Sequence, residues 1–173
     1  MKKQLLASLV SLVVTVAVES VHAQTSDETP GISKAQFILS RIDEAATHEF
    51  KKAWISVGAG ADRKEAVVLL YSKVDGSLMA RPLRLTYESW KFGFNWNPAI
   101  IGVVHTHPNT SGSRPSYEDQ RLADKFGVPV FTLTSRGMFI YDPDTRKVSL
   151  VQDGLDWLKP SNWNRDSRFV AVR

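Results

Sequence analysis

Ala99-Ile100-Ile101-Gly102-Val103-Val104-His105-Thr106-His107-Pro108 begins as an apolar run behind Pro98 and ends in two histidines. An uninterrupted run of this length, rich in β-branched residues, predicts a buried strand that delivers His105 at its C-terminal end. Residues 108–115 are rich in Gly, Ser and Pro and predict a loop. Ser116 then opens a helix expected to run to about Phe126, where Gly127 and Pro129 end it. Three short strands are expected beyond, at residues 130–134, 138–141 and 147–151, with Asp142-Pro143-Asp144 turning between the last two.

N-terminal to the histidine strand, Ala66-Val67-Val68-Leu69-Leu70-Tyr71 predicts a second buried strand. Asp75-Gly76 is a hairpin turn, and residues 77–85 resume an extended path. Further back, Ser33 can cap a helix carrying Phe37, Ile38, Ile42, Ala45 and Ala46 on one face. Residues 50–57 read equally as a helix tail or a short strand. The expectation is a mixed α/β fold, one domain with a central β-sheet flanked by helices and a C-terminal β-meander.

The chain has 173 residues, a net charge of +4 and no cysteine. Its length suits one domain of ordinary size. Absence of cysteine excludes a disulfide scaffold, a Cys-ligated zinc or iron–sulfur site and a cysteine nucleophile. Any metal falls to His, Asp, Glu or Asn. No dense Lys/Arg block marks a nucleic-acid stripe, so no nucleic-acid partner is expected.

Met1-Lys2-Lys3, an uncharged run from Leu5 to Val18 and the exit Val21-His22-Ala23 have the layout of a secretory signal peptide. The run is shorter than the ~20 apolar residues of a membrane span. Cleavage after Ala23 is expected, leaving no stable membrane anchor and a periplasmic or secreted protein of net charge +3. The organisation is then residues 1–23 as leader, 24–32 as flexible lead-in, and 33–173 as one domain with a C-terminal extension.

His105 and His107 are two apart on a strand, so both imidazoles point to one side. Asp119 lies in the first turn of the helix that Ser116 begins, and a loop turning back from the strand can bring it beside them. Two nitrogens and one oxygen would fill three corners of a tetrahedron and leave the fourth for water, the layout of a catalytic zinc site. Such a water has its pKa lowered to about 7 and needs a proton acceptor, a role for a carboxylate elsewhere in the sheet.

His105-Thr106-His107-Pro108 followed by Ser116-Tyr117-Glu118-Asp119 resembles the His-x-His-Pro…Ser-x-x-Asp signature of the JAMM (JAB/MPN-type) zinc metallopeptidases. The Pro115-Ser116-x-x-Asp119 ending is most similar to bacterial RadC-like and toxin-associated JAB branches. The resemblance implies that His105, His107 and Asp119 bind Zn2+, that Glu65 at the head of an earlier strand is the general base and acid, and that Ser116 stabilises the oxyanion. It implies a JAMM-like domain acting as an exported peptidase or isopeptidase, with a cell-wall peptide or secreted protein as substrate. Eight residues separate His107 from Ser116, one more than in the family pattern. The extra residue falls in the Gly112-bearing loop, where insertion is tolerated.

Each of these residues has a plainer reading, and a His-x-His pair at a strand end such as His105 and His107 can be ordinary surface or core histidine. Ser116-x-x-Asp119 is also a helix-capping pattern. Glu65 could be a solvated neighbour of Asp62, Arg63 and Lys64, and Glu49, behind His48, is its rival as base. Mn2+ or Fe2+ could replace Zn2+ in a His2Asp site. A domain without catalysis that recognises a secreted or envelope protein would use the same fold. Trp90, Phe92, Phe94 and Trp96 alternate with other residues, so four rings are expected on one face of a strand, as core packing or as a substrate shelf beside the metal.

Overall fold

Hydrogen bonds between strands order the described residues into a six-stranded mixed sheet with helices on both faces, seen in a computed structural model. The structure describes residues 32–83 and 92–163. The expected leader, nearly all of the lead-in, Trp90 and residues 164–173 lie outside them. Among the described residues, no helix is long and apolar enough to cross a membrane.

The strands are β1 (Val67–Ser72), β2 (Leu78–Pro82), β3 (Ile100–Thr106), β4 (Val130–Thr134), β5 (Gly137–Asp142) and β6 (Lys147–Asp153). They lie in the order β2-β1-β3-β4-β5-β6. Only β3 and β4 are parallel; the other neighbours are antiparallel. The last three strands form the expected meander. A parallel pair needs a crossover, and here it is helix α3 (Tyr117–Phe126), which lies between β3 and β4 in the chain.

Alternation along the strands splits the core. Val68, Leu70, Val104, Phe131, Leu133, Met138 and Ile140 face one side and pack under α1 (Lys34–Leu39) and α2 (Glu44–Ser56). Val67, Leu69, Val103, Val130 and Tyr141 face the other, against Ala123 of α3. Gly102 allows α1 its close approach. A Cβ there would stand 2.8 Å from the Ile38 Cδ1 and 3.3 Å from the Leu70 Cδ1.

The N-terminal helix expected to run through Ala46 is two helices. Ser33 caps α1 through a capping box with Gln36. Asp43 then accepts a hydrogen bond from the Ala46 N–H at 2.8 Å and starts α2. A good N-cap residue inside a helical pattern competes with helix continuation, and here it wins. Ala45, expected on the buried face, is exposed. Residues 50–56 belong to α2, which settles that ambiguity for helix.

Residues 92–97 form no strand, contrary to the expectation, yet their alternation survives: Phe92, Phe94 and Trp96 are half-buried while Gly93 and Asn95 are exposed. Trp96 stacks on Phe126 with centroids 4.1 Å apart. The rings thus pack on the α3 side of the sheet without ladder hydrogen bonds.

The segment after β6 is core, which the sequence did not suggest. Trp157 is fully buried, lies edge-on to Trp54 at 5.8 Å, and donates its indole N–H to the Thr134 carbonyl at 3.1 Å. Trp163 in turn donates to the Trp157 carbonyl at 3.1 Å. Trp157→Ala is expected to cost about 3–5 kcal/mol of stability, by loss of buried ring area and the cavity left behind. Urea unfolding of the two proteins measures it, and a loss under about 1 kcal/mol would contradict this core assignment.

Candidate metal centre

The last residues of β3 and the first turn of α3 meet at one end of the sheet. β3 continues beyond Thr106, because the His107 N–H still donates to the Leu133 carbonyl at 3.0 Å. His105 and His107 therefore project to the α3 side, and their Nε2 atoms stand 2.9 Å apart. Thr106, on the opposite side, accepts from the Ala66 N–H through its hydroxyl at 2.9 Å, while its own N–H donates to the Ala66 carbonyl.

Asp119 arrives through helix geometry. Ser116 is the N-cap of α3, its hydroxyl accepting from the Asp119 N–H at 3.2 Å. The Ser116 N–H donates to Asp119 Oδ2 at 2.7 Å, completing a capping box. The carboxylate so fixed points at the imidazoles: Oδ1 is 3.3 Å from His105 Nε2, and Oδ2 is 3.5 Å from His107 Nε2. Gly127, in the left-handed region at φ 62°, ends the helix as expected.

His105, His107 and Asp119 form a buried group that could hold a metal ion, with ligand atoms within 4.8 Å of one another. Ligands bound at 2.0–2.1 Å at tetrahedral corners stand about 3.3 Å apart, and the closest approaches of 2.9, 3.3 and 3.5 Å bracket that value. His107 Nδ1 lies 2.6 Å from the Gly112 carbonyl oxygen. A carbonyl can only accept, so Nδ1 carries the proton and the neutral ring keeps its lone pair at Nε2, facing the centre. His105 Nδ1 is buried and has no hydrogen-bond partner among the described residues, and Phe92 lies against that ring at 4.6 Å. Converging lone pairs and a carboxylate, out of water, repel unless a cation or a proton lies among them. The residues fit a divalent ion.

Electrostatics agree with the geometry. Burial raises the Asp119 pKa, but the His105 charge and hydrogen bonds from His105, His107 and Ser116 outweigh it, so the carboxyl is held far below its ordinary range. Burial also works against a charged His107, yet Asp119, the Gly112 carbonyl and Glu65 prevail and raise its pKa.

Glu65 completes the arrangement by sheet register. Val67 pairs with His105 in the antiparallel β1–β3 ladder, so stepping back two residues sets Glu65 beside His107 on the same face. Its buried carboxyl has a pKa raised first by desolvation; the charges of His105 and His107 lower it and that of Asp119 raises it. Glu49 lies within α2, not ahead of a strand, and pairs with Lys52 at 2.9 Å. Ser116 is exposed and its hydroxyl oxygen serves the cap, which leaves the O–H hydrogen to donate.

The loop of residues 108–115 is held at its start by Asn109. Its N–H donates to the Gly60 carbonyl at 2.8 Å, its amide N to the Ala59 carbonyl at 3.1 Å, and its Oδ1 accepts from Ser135 at 2.7 Å. Gly60 has φ 78°, and a Cβ there would meet Trp54 at 2.6 Å and Asn109 at 2.9 Å. The Gly112 carbonyl and Asn109 were not singled out in the sequence. A loop backbone carries no signature of which carbonyl will face a histidine.

Because a metal needs neutral His107, affinity should fall as pH falls. The raised pKa places the onset above the ordinary imidazole value of 6.5. Chelator-competition titrations from pH 8 to pH 5 check this, and an affinity independent of pH would refute it.

No family model and no curated protein matches this chain.

Proposed function

We propose that this chain is a zinc-dependent hydrolase of the JAMM type, cleaving peptide or isopeptide bonds. One observation carries the reading: a buried glutamate shares a sheet face with a buried His-His-Asp group whose ligand spacings suit a tetrahedral ion. A structural zinc site needs a fourth protein ligand and no base beside it.

The bound ion would be held by the Nε2 atoms of His105 and His107 and by Asp119. When present it supplies Lewis-acid polarisation of the scissile carbonyl and acidification of water. Glu65 takes the proton from the attacking water, and its raised pKa brings it closer to the value suited to taking and returning a proton near neutrality. The O–H of Ser116 donates to the carbonyl oxygen as negative charge builds there. Protonated Glu65 then delivers the proton to the departing amine. His107 is kept in the productive tautomer by the Gly112 carbonyl.

The charged start, short apolar run and Ala23 exit support export, and with it a cell-wall peptide or a secreted protein as substrate. Zn2+ is favoured over Fe2+ by spacings that suit tetrahedral corners, and over Mn2+ also by the two imidazoles. The test is cleavage of a mixed peptide library by the Zn2+-loaded chain beside its Glu65→Gln variant. Cleavage by the first alone supports the reading, while equal inertness of both with metal bound would favour a binding domain.

A further inference from the structure

The buried strand β4 reads Val130-Phe131-Thr132-Leu133-Thr134, and its hydroxyls stand out in an otherwise apolar run. Thr134 is used locally: its hydroxyl donates to the Gly137 carbonyl at 2.9 Å and accepts from the Arg136 N–H at 3.1 Å, closing the β4–β5 turn. Thr132 is fully buried and reaches out of the sheet instead, donating to the Ser113 carbonyl, 19 residues away, at 2.6 Å. A valine of the same shape would suit the core without the cost of burying a hydroxyl. Its hydrogen bond therefore belongs to the loop.

Ser113 follows Gly112, whose carbonyl holds His107 Nδ1 at 2.6 Å. Thr132 is also the register partner of His105 across the parallel β3–β4 ladder, so it stands on the metal-facing side of the sheet. β4 thus grips His107 twice. The Leu133 carbonyl accepts the His107 backbone N–H, and the Thr132 hydroxyl anchors the peptide segment that orients the ring. Arg136 adds a longer contact to the Ser113 hydroxyl, 3.4 Å.

We propose that Thr132 is a positioning residue for His107, holding the Ser113–Gly112 segment so that the Gly112 carbonyl fixes the imidazole with Nε2 toward the ion. The inference rests on the metal-centre reading of His105, His107 and Asp119. Without the hydroxyl the Ser113 carbonyl loses its partner, the Gly112 carbonyl drifts, and His107 can rotate or change tautomer. Partners of this outer kind are worth about 10- to 100-fold in metal affinity.

The experiment measures Zn2+ affinity by competition with a chromogenic chelator, together with thermal unfolding of the metal-free proteins. Thr132→Val is expected to weaken Zn2+ binding by about tenfold or more, and Thr132→Ser, which keeps the hydroxyl, to restore it. Thr132→Ala also lacks the hydroxyl and cannot overpack the strand; it must show the same loss, and it carries the test if the valine variant does not fold. A purely structural role would lower the unfolding temperature and leave affinity unchanged. Wild-type affinity in a folded variant without the hydroxyl, or an equal loss in Thr132→Ser, overturns the inference. A wild-type chain that takes up no Zn2+ overturns the metal-centre reading, and this inference with it.

Discussion

Asp119→Ala should abolish stoichiometric metal binding while leaving a folded protein. Asp119 has two jobs, and Oδ2, which also stands 3.5 Å from His107 Nε2, shares in both. Oδ2 accepts the Ser116 N–H at 2.7 Å and closes the helix cap, and Oδ1 faces His105 at 3.3 Å. Losing the Asp119 half of the capping box, with the Ser116 cap itself retained, costs at most about 1 kcal/mol, which a folded domain survives. Losing the anion between two imidazoles removes a ligand, so affinity should fall by more than the roughly 100-fold upper range of an outer partner. Asp119→Asn separates the two jobs, because its amide oxygen can still accept at the cap but carries no charge. Metal per chain after dialysis, with circular dichroism as the control for folding, gives the answer. One metal ion retained per chain in Asp119→Ala would mean that the ligand set is wrong.

Glu65→Gln should cost about 10²- to 10⁴-fold in kcat, the usual worth of a positioned general base, with metal content unchanged. A second signature accompanies it. The Glu65 pKa is raised above 4.5 by burial in the folded chain, so the folded state holds this proton more tightly than the unfolded one. In the metal-free wild type that contribution is present at low pH and is lost as pH rises through the raised value. Glutamine has no charge to desolvate, so the metal-free variant should be more stable than the wild type at neutral pH. Activity lost with stability kept would be the pattern of a residue retained for chemistry rather than folding. Full turnover by Glu65→Gln would remove Glu65 from the mechanism.

How much of this was legible beforehand depended on range. The α3 cap, its glycine stop and the projection of His105 and His107 to one side follow from neighbours three or fewer residues apart, and all three stand as expected. The break at Asp43 was missed because an apolar face continued across it, while the cap bond to Ala46 is a competing local interaction. Residues 92–97 keep their alternation but no ladder, since a period-two pattern reports which side is buried and not whether a strand lies alongside. Trp157 could not be assigned from the sequence. Its partners, Trp54 and the Thr134 carbonyl, are remote in the chain.

By itself the sequence determined the class of fold, the two strands that matter most, the helix that bears Asp119 and the residue types able to hold an ion. Those are consequences of side-chain periodicity and of backbone groups needing partners within a turn or two. Tertiary structure alone decided that the Gly112 carbonyl sets the tautomer of His107 and that Thr132 holds the loop, and it set Glu65, already expected ahead of its rival Glu49, beside the imidazoles. The reason is register: which residues oppose one another across a sheet is fixed by the packing of both its faces at once, and no local pattern encodes a distance to the other side of the chain.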